Sequence, residues 1–515
     1  MRDEYTYDWL MGRSVDGDTL QTCADLFSGH YGTWSDAAPH GGGGRIRLSA
    51  KRLRAWLNCE DANLFCARFS DKIIGYAIAS RVSLTGKGVI SWVTQLVVHS
   101  EHRKNGVAKR LLFSIWGMTD HYAWGLVSSN PYAIRALEKA TRRRCSPGWM
   151  RRNQKLLRTV GARCTTYIRE DVEFDLSKST AAAYTAFYVN HSNLPDKLKA
   201  VATEETPWVL GDLKEGWEWL AFVFRDQTPL RMSYGEIEEM MLASDQVAQS
   251  AYARSPLTPR HRWAKGAERE VEHILSRARP ANGAVVHDFG CGAGRHALAL
   301  AGRGFRVTGV DYVGRFVADA REKAEKLGLT AEFIEGDCRT VAMGDRAELA
   351  LCLYDVVGSH AERAENSRIL EDIARNLVPG GHLALSVMNY ELTLFRAVHK
   401  FRLSENPSFL LSLPPSRIME DTGDVFNPEF YAVDTETQVV YRKEQFTAPG
   451  GAGLPTELLV RDRRFRLAEI SELCAECGFE VLSADYVSAK DWGAPLDPTA
   501  DGAKEILLFC RKRLQ

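Results

Sequence analysis

No stretch of this 515-residue chain is apolar for long enough to cross a bilayer as a helix. The start, Met1-Arg2-Asp3-Glu4-Tyr5-Thr6-Tyr7-Asp8, carries early acids and no apolar core, so neither a signal peptide nor a membrane partner is expected. Net charge is missing too. Lys+Arg and Asp+Glu both total 66, and the whole-chain balance gives no argument for nucleic acid or a membrane surface. Cysteine is present but unorganised: the 11 residues are scattered and odd in number, which fits a reduced, cytoplasmic setting better than a disulfide framework. Cys474 and Cys477 form the only close pair, on an amphipathic stretch closed by Gly478. With no second pair to complete a zinc site, no metal is expected. Internal repeats and low-complexity tracts are absent as well.

What is present is an ordinary globular composition, 45% apolar and 26% charged, on a chain long enough for two or three domains. The first 150 residues mix helix and strand. Asp18 to Trp34 reads as a helix, and Ser49 caps a short one through Leu57. Strands are expected at Asn63 to Phe69, Ile73 to Val82, Val89 to His99 and Ala123 to Ser128, with a helix from Gly106 to about Thr119 and another starting at Asn130-Pro131. Gly41 to Gly44 reads as a mobile loop. In 151–245, Thr180 to Asn190 looks helical, and this region is taken as an extension completing the first domain. A linker or boundary helix is expected around 246–265, where Ser255-Pro256-Leu257-Thr258-Pro259 breaks the pattern.

From 284 onward strands alternate with helices, near 284–288, 306–311, 331–335, 348–353 and 382–388, which predicts a parallel sheet with right-handed crossovers. The rhythm stops after Asn389, for an insertion of about 390–460, and resumes with a helix at 467–477 and strands at 479–486 and 504–511. At the first strand, Val285-Val286-His287-Asp288-Phe289-Gly290-Cys291-Gly292-Ala293-Gly294 runs an apolar segment into a glycine-rich turn. Val307-Thr308-Gly309-Val310-Asp311 then ends the second strand on an acid. Glycines let backbone approach a ligand, and Asp311 can accept both hydroxyls of a ribose.

The acid-first glycine turn, Asp311, Gly336-Asp337-Cys338, the strand Leu349 to Asp355, Leu377-x-Pro379-Gly380-Gly381 and Cys477-Gly478-Phe479 together resemble the class I S-adenosylmethionine-dependent methyltransferases. The resemblance implies that Gly290, Gly292 and Gly294 lie under the methionine part of the donor and that Asp288 orients its ammonium. It also implies that Asp311 holds the ribose, and that Asp337 and Cys338 face the adenine. For the acceptor side the candidates are Tyr354, Asp355 and His360. A capping turn explains the first two equally well, and a surface histidine is the simpler reading of the third. Tyr431, Tyr441 and Arg442 in the insertion read equally as strand residues. The Asn/Asp-Pro-Pro-Tyr/Phe tetrapeptide of enzymes that methylate amino groups of nucleobases is absent, which argues against DNA adenine methylation.

The first half carries Thr94-Gln95-Leu96-Val97-Val98-His99, then Arg103-Lys104-Asn105-Gly106-Val107-Ala108-Lys109-Arg110. A strand feeding a turn and a helix start aims several amides and a helix dipole at one point, as pyrophosphate binding needs. This resembles motif A of the GNAT superfamily of acyl-CoA N-acyltransferases, with Arg103, Gly106 and Ala108 in its Q/R-x-x-G-x-G/A positions. Asn130-x-x-Ala133-Ile134 matches the later helix beside the CoA arm. The implied cofactor-binding set is Val97, Val98, Arg103, Lys104, Asn105, Gly106, Val107, Ala108 and Asn130. Two departures stand out. Leu137 takes the place of the family's frequent tyrosine, and Thr94 and Gln95 stand where a glutamate often acts as base. Glutamine cannot take a proton at neutral pH.

The expected architecture is α/β: an N-terminal GNAT-like mixed α/β domain (1–150, extended by 151–245) and a C-terminal Rossmann-like doubly wound sheet (246–515) with an insertion after the fifth strand. The expected function is a bifunctional transferase using S-adenosylmethionine and acetyl-CoA on a small-molecule amine in one metabolic pathway. Two alternatives stay open. The chain is then a modifier of tRNA, DNA or protein, docking through the basic patch Arg142-Arg143-Arg144, Arg151, Arg152 and Lys155, or a methyltransferase with a non-catalytic CoA-sensing domain. That patch could also meet the CoA 3′-phosphate, and a solvated helix end is the simpler reading.

Overall fold

A computed structural model describes residues 5–39, 41–117, 119–241, 246–247, 266–446, 456–488 and 491–514. The expected 246–265 linker lies, apart from 246–247, outside the described residues. The chain gathers into two compact units, Met1–Ala251 with Gln445–Leu459, and Tyr252–Glu444 with Val460–Gln515.

The first unit is built on one eight-stranded sheet of order β1-β2-β3-β4-β5-β8-β7-β6. Its strands are β1 (Tyr5–Met11), β2 (Asn63–Phe69), β3 (Lys72–Leu84), β4 (Gly88–Val98), β5 (Ala123–Ser128), β6 (Phe174–Leu176), β7 (Ala181–Tyr184) and β8 (Trp217–Phe224). Asp16 caps the helix Gly17–His30 and Ser49 caps Ala50–Leu57, each accepting a backbone N–H three residues on. These helices cover one face through Leu20, Phe27, Leu53, Tyr76, Ile78 and Val97. The four-glycine run is pinned rather than loose, since Trp34 N–H bonds the Gly44 carbonyl and Gly43 N–H bonds the Trp34 carbonyl.

Two irregularities shape this sheet. Against β3, the β4 register skips Thr94, a bulge between Val93 and Gln95. Parallel pairing of β4 with β5 covers only Ile90–Val93 with Ala123–Leu126, while β5 stays paired to β8 through Ser128. β4 runs on to Val98 without β5, so the sheet opens into a V.

The helix expected across Thr180 to Asn190 is instead β7, paired with both β6 and β8. Ala181, Ala182 and Ala183 are almost fully buried there. Their helix propensity, a fraction of a kcal/mol each, yields to backbone pairing in a site with room only for methyl groups.

The second unit carries a seven-stranded sheet of order β11-β10-β9-β12-β13-β20-β19. These are β9 (Val285–Phe289), β10 (Arg306–Asp311), β11 (Ala331–Glu335), β12 (Ala347–Cys352), β13 (Leu377–Met388), β19 (Phe479–Val487) and β20 (Glu505–Lys512). The first five are parallel, and β20 is antiparallel to both neighbours. The chain order reverses between β9 and β12, which opens a crevice at their carboxyl ends. Where the sequence rhythm stops, a helix Tyr390–Arg396 leads into a smaller five-stranded sheet. That sheet comprises β14 (His399–Phe401), β15 (Pro415–Ser416), β16 (Tyr431–Asp434), β17 (Val439–Phe446) and β18 (Thr456–Arg463).

Candidate active sites

At the switch point of the second unit the turn after β9 is left-handed at Gly290 (φ 72°) and Gly292 (φ 53°). The two differ in surroundings. A Cβ on Gly290 would lie 2.2 Å from Val356 Cγ2, so packing demands glycine there, whereas a Cβ on Gly292 would meet nothing within 4 Å and points into open space. Gly294 starts the helix Arg295–Ala301. Asp288, at 2% exposure, leaves its Oδ2 atom without a hydrogen-bond partner, and burial raises its pKa. A buried carboxylate oxygen left unmatched is costly unless a cationic group completes it, and an amino-acid ammonium fits that need. Asp311 accepts the Gly292 N–H on Oδ2 and the Val313 N–H on Oδ1, each at 2.9 Å. Of a carboxylate's roughly four lone-pair sites two are then still free. Beyond β11, Asp337 is clamped by Arg339 (Nη2 to Oδ2, 2.6 Å), which holds its carboxyl below the usual range. Cys338 lies against the Gly290 backbone, and burial pushes its thiol up to about 12.

In the first unit, Gly106 is left-handed (φ 77°) and caps the helix Val107–Trp116 without any side-chain hydrogen bond. A Cβ placed on Gly106 would meet nothing within 4 Å. The first-turn amides of Val107 and Ala108, at the positive end of the helix, have no side-chain cap, an arrangement that suits a pyrophosphate. Lys104 (φ 69°) is exposed beside it. Arg103 is spent locally, its guanidinium bonding the carbonyls of Val98 and His30. Asn105 donates to the Tyr5 hydroxyl at 3.1 Å. Val97 is buried in the core under the helix Gly17–His30, and Val98 is part-exposed at the strand end. Asn130 caps the helix Pro131–Thr141 by accepting the Tyr132 N–H at 3.1 Å. The structure therefore brings backbone amides, rather than the arginine, to the candidate anion site.

Comparison with known proteins finds a family match in each half of the chain. Residues 33–140 match the Acetyltransferase (GNAT) family and residues 286–381 match the Methyltransferase domain family. The chain carries both domains.

Similar curated proteins include the Cypemycin N-terminal methyltransferase of Streptomyces sp, 36% identical over 107 residues, which are 21% of this chain and 43% of that protein. A Ubiquinone biosynthesis O-methyltransferase of Maricaulis maris is 31% identical over 115 residues, 22% of this chain and 44% of that protein. The chain thus spans less than half the length of these two relatives. Among solved structures, the CcbJ methyltransferase from Streptomyces caelestis aligns over 48% of this chain and 90% of its own, at 16% identity and a TM-score of 0.37.

Of the residues expected on the acceptor side, Tyr354 sits just past β12 with φ 68°. Its N–H donates to Ser386 Oγ at 2.5 Å and its hydroxyl donates to Glu270 Oε1 at 2.7 Å. Glu270 also receives Arg295 Nη1 at 3.0 Å and pairs with His296 Nε2 at 2.6 Å, and the Arg295 guanidinium lies over the Tyr354 ring. A non-glycine residue held left-handed by this many contacts is typical of a functional turn. The sequence reading missed Glu270, Arg295 and His296. Glu270 stands between Glu268 and Glu272 on the helix Ala267–Ala278, and nothing in that charge pattern marks it as the inward one.

Asp355 is exposed to solvent yet walled in, so its pKa rises through desolvation and the nearby Asp462. Glu505, at the start of β20, was also missed; burial and the Glu270 charge push it up to about 8. His360 lies among Arg339, Glu365 and Asp337, on the Asp337 side of the crevice; burial, then the Arg339 charge, lowers its pKa. Tyr431 and Tyr441 are core residues of the small sheet, and Arg442 is paired with Glu444 and Asp462. In the basic patch of the first unit four of the six cations have partners within the chain, while Arg151 and Lys155 are exposed. Arg142 bonds Glu236, Arg144 bonds Glu138, Arg143 lies over Trp124 and Arg152 over Trp149. Among the described residues no group of acids, histidines and cysteines is arranged to hold a metal ion, and no helix is long and apolar enough to cross a membrane.

Proposed function

We propose that this chain is a bifunctional transferase acting in one metabolic pathway, methylating a small molecule from S-adenosylmethionine and N-acetylating an amine from acetyl-CoA. The observation that carries the first activity is the unmatched Asp288 Oδ2 beside the open space at Gly292. Asp288 would hold the donor's ammonium, Asp311 its ribose hydroxyls, and Asp337 with the Cys338 amide its adenine. Bound there, the donor supplies an activated methyl group. The chain's own work is then to align an acceptor near Tyr354 and Asp355 and to keep that region dry enough for close approach. Tyr354 is fixed by Glu270 and Ser386, and Asp355 lines the cleft where an acceptor amine would find a negative partner.

The second activity rests on the uncapped amides after Gly106, which with Lys104 would hold the acyl-CoA pyrophosphate. The ion pairs at Arg142 and Arg144 and the aromatic contacts at Arg143 and Arg152 favour a small-molecule acceptor over a nucleic acid. Eleven free thiols suit a reducing, cytoplasmic setting. A CoA-sensing role for the first half is favoured by one observation, the fully buried Leu137 in place of a proton-donating tyrosine. Calorimetric titration tests both sites at once. The wild-type chain should bind each donor, and Gly106→Phe should lose acetyl-CoA while keeping S-adenosylmethionine. Normal acetyl-CoA affinity in that variant would overturn the assignment of the loop.

A further inference from the structure

In the matched segment 33–140, the positions where the family resemblance places its proton-transfer groups hold Thr94, Gln95 and Leu137. Thr94 and Gln95 cannot take a proton at neutral pH, and Leu137 is buried hydrocarbon. Building on the acyl-CoA reading above, we propose that Glu218, on β8, is the residue that takes the proton from the acceptor amine.

Glu218 is the one charged side chain in Trp217-Glu218-Trp219-Leu220-Ala221-Phe222-Val223-Phe224. Alternation fixes which way it faces. Trp219 points to the face of the helix Pro131–Thr141, packing on Trp208, which lies under Arg135. Phe222, on the side of Glu218, meets Trp92 edge-on with centroids 4.7 Å apart. Ser91, facing oppositely to Trp92, accepts the Trp116 Nε1–H of the helix Val107–Trp116. The two helices beside the anion cradle therefore lie on one face of the sheet, and Glu218 lies on the other.

The V between β4 and β5 connects those faces, and Glu218 stands at its rim. Ser128 of β5 pairs with Trp219, and the Ser129 N–H bonds the Glu218 carboxylate. Across the gap the Tyr167 hydroxyl donates to the Thr94 carbonyl at 3.3 Å. Tyr31 and Tyr167 are both part-exposed, and both lie near enough to Glu218 to feel its charge. Both hydroxyls are held protonated by burial and by the Glu218 charge, so they are the titratable groups facing it. Thr185 Oγ1 donates to Glu218 Oε2 at 2.9 Å. Burial pushes the carboxyl up to about 7, and neither lysine nor arginine offsets it. A base that exchanges its proton near neutral pH is well matched to an ammonium acceptor.

The step balances without any further reactant. Glu218 removes one proton from the ammonium, and the freed nitrogen lone pair forms the N–C bond to the thioester carbon as the C–S bond breaks. The second proton, lost as the amide forms, equals the one taken up by the thiolate. Glu218 then returns its proton to solvent.

The test uses the full chain saturated with acetyl-CoA, with thiol release followed in water alone and with spermidine, tyramine and lysine methyl ester as probe amines. Wild type should show a limb rising through about pH 7, and Glu218→Gln should lose that limb together with about 10²-fold or more of the rate. Acetyl-CoA affinity measured by calorimetry should not change. Thr185→Val, which removes only a hydroxyl, should shift the limb upward. Independently of turnover, a carboxyl C=O infrared band that vanishes as pH rises through about 7 should be missing from Glu218→Gln. An unchanged rate and limb in Glu218→Gln, no such band, or no thiol release from the saturated wild type would each overturn the assignment. Failure of wild type to bind acetyl-CoA would instead overturn the acyl-CoA reading and this proposal with it.

Discussion

Replacing Asp311 with alanine should separate the two donor sites, and the structure sets the size of the effect. The carboxylate already receives the Gly292 and Val313 amides at 2.9 Å. Its remaining acceptor capacity matches a vicinal diol, and each hydrogen bond to a charged group contributes roughly 1.5–3 kcal/mol. Losing two of them predicts a donor affinity lower by about 10²- to 10⁴-fold, at about 1.4 kcal/mol per decade. The same change strands two backbone donors, so some loss of stability accompanies it. Asp311→Asn serves as the control, since its amide oxygen can still accept one of those N–H groups while its charge is gone. Calorimetry with S-adenosylmethionine and acetyl-CoA, beside a thermal melt of each variant, reads all three quantities. Acetyl-CoA affinity should stay at the wild-type value throughout. A folded Asp311→Ala chain that binds S-adenosylmethionine within about threefold of wild type, a difference well under 1 kcal/mol, would refute the pocket.

Two further outcomes follow from the same region. Gly290→Ala should destabilise the second unit by about 2–5 kcal/mol, combining a left-handed alanine with a Cβ 2.2 Å from Val356 Cγ2. Pairing it with Val356→Ala should recover part of that loss in denaturant titrations, and no recovery would place the strain elsewhere. Glu505 keeps its proton in the folded chain up to about pH 8, whereas the unfolded chain loses it near the ordinary value of 4.5. Stability therefore falls as pH rises between those two values, and Glu505→Gln should be more stable than wild type at pH 8, by something of the order of 4 kcal/mol, yet nearly neutral at pH 4. Equal effects at both pH values would rule out a proton held at Glu505.

The doubly wound sheet was legible because its pattern is local. Strands at 306–311 and 331–335 fall where apolar runs end at polar turns, and the glycine turn after β9 announces itself. Strand β7 was not legible, because Ala181 to Ala183 carry a helical preference that only pairing with β6 and β8 overrides. The donor side of each candidate site came from contiguous motifs. The acceptor sides did not, since Glu270, Glu505 and Asp355 are drawn together from three distant parts of the chain. Glu218 did leave a trace, a lone acid inside an apolar strand, but its partners Thr185, Ser129 and Tyr167 emerge only once β8 lies beside β5.

The pairing of β5 with β8 also bears on where this polypeptide can be cut. Ending the chain near the last residue of the matched acetyltransferase segment would strip β6, β7 and β8 from the sheet. The side of β5 from Ala123 to Ser128 would then be a bare edge six residues long, with the amide and carbonyl of every second residue unpaired, beside an uncovered Trp92. Such an edge recruits strands from other molecules. A shortened first unit that stays monomeric has to run at least through Phe224.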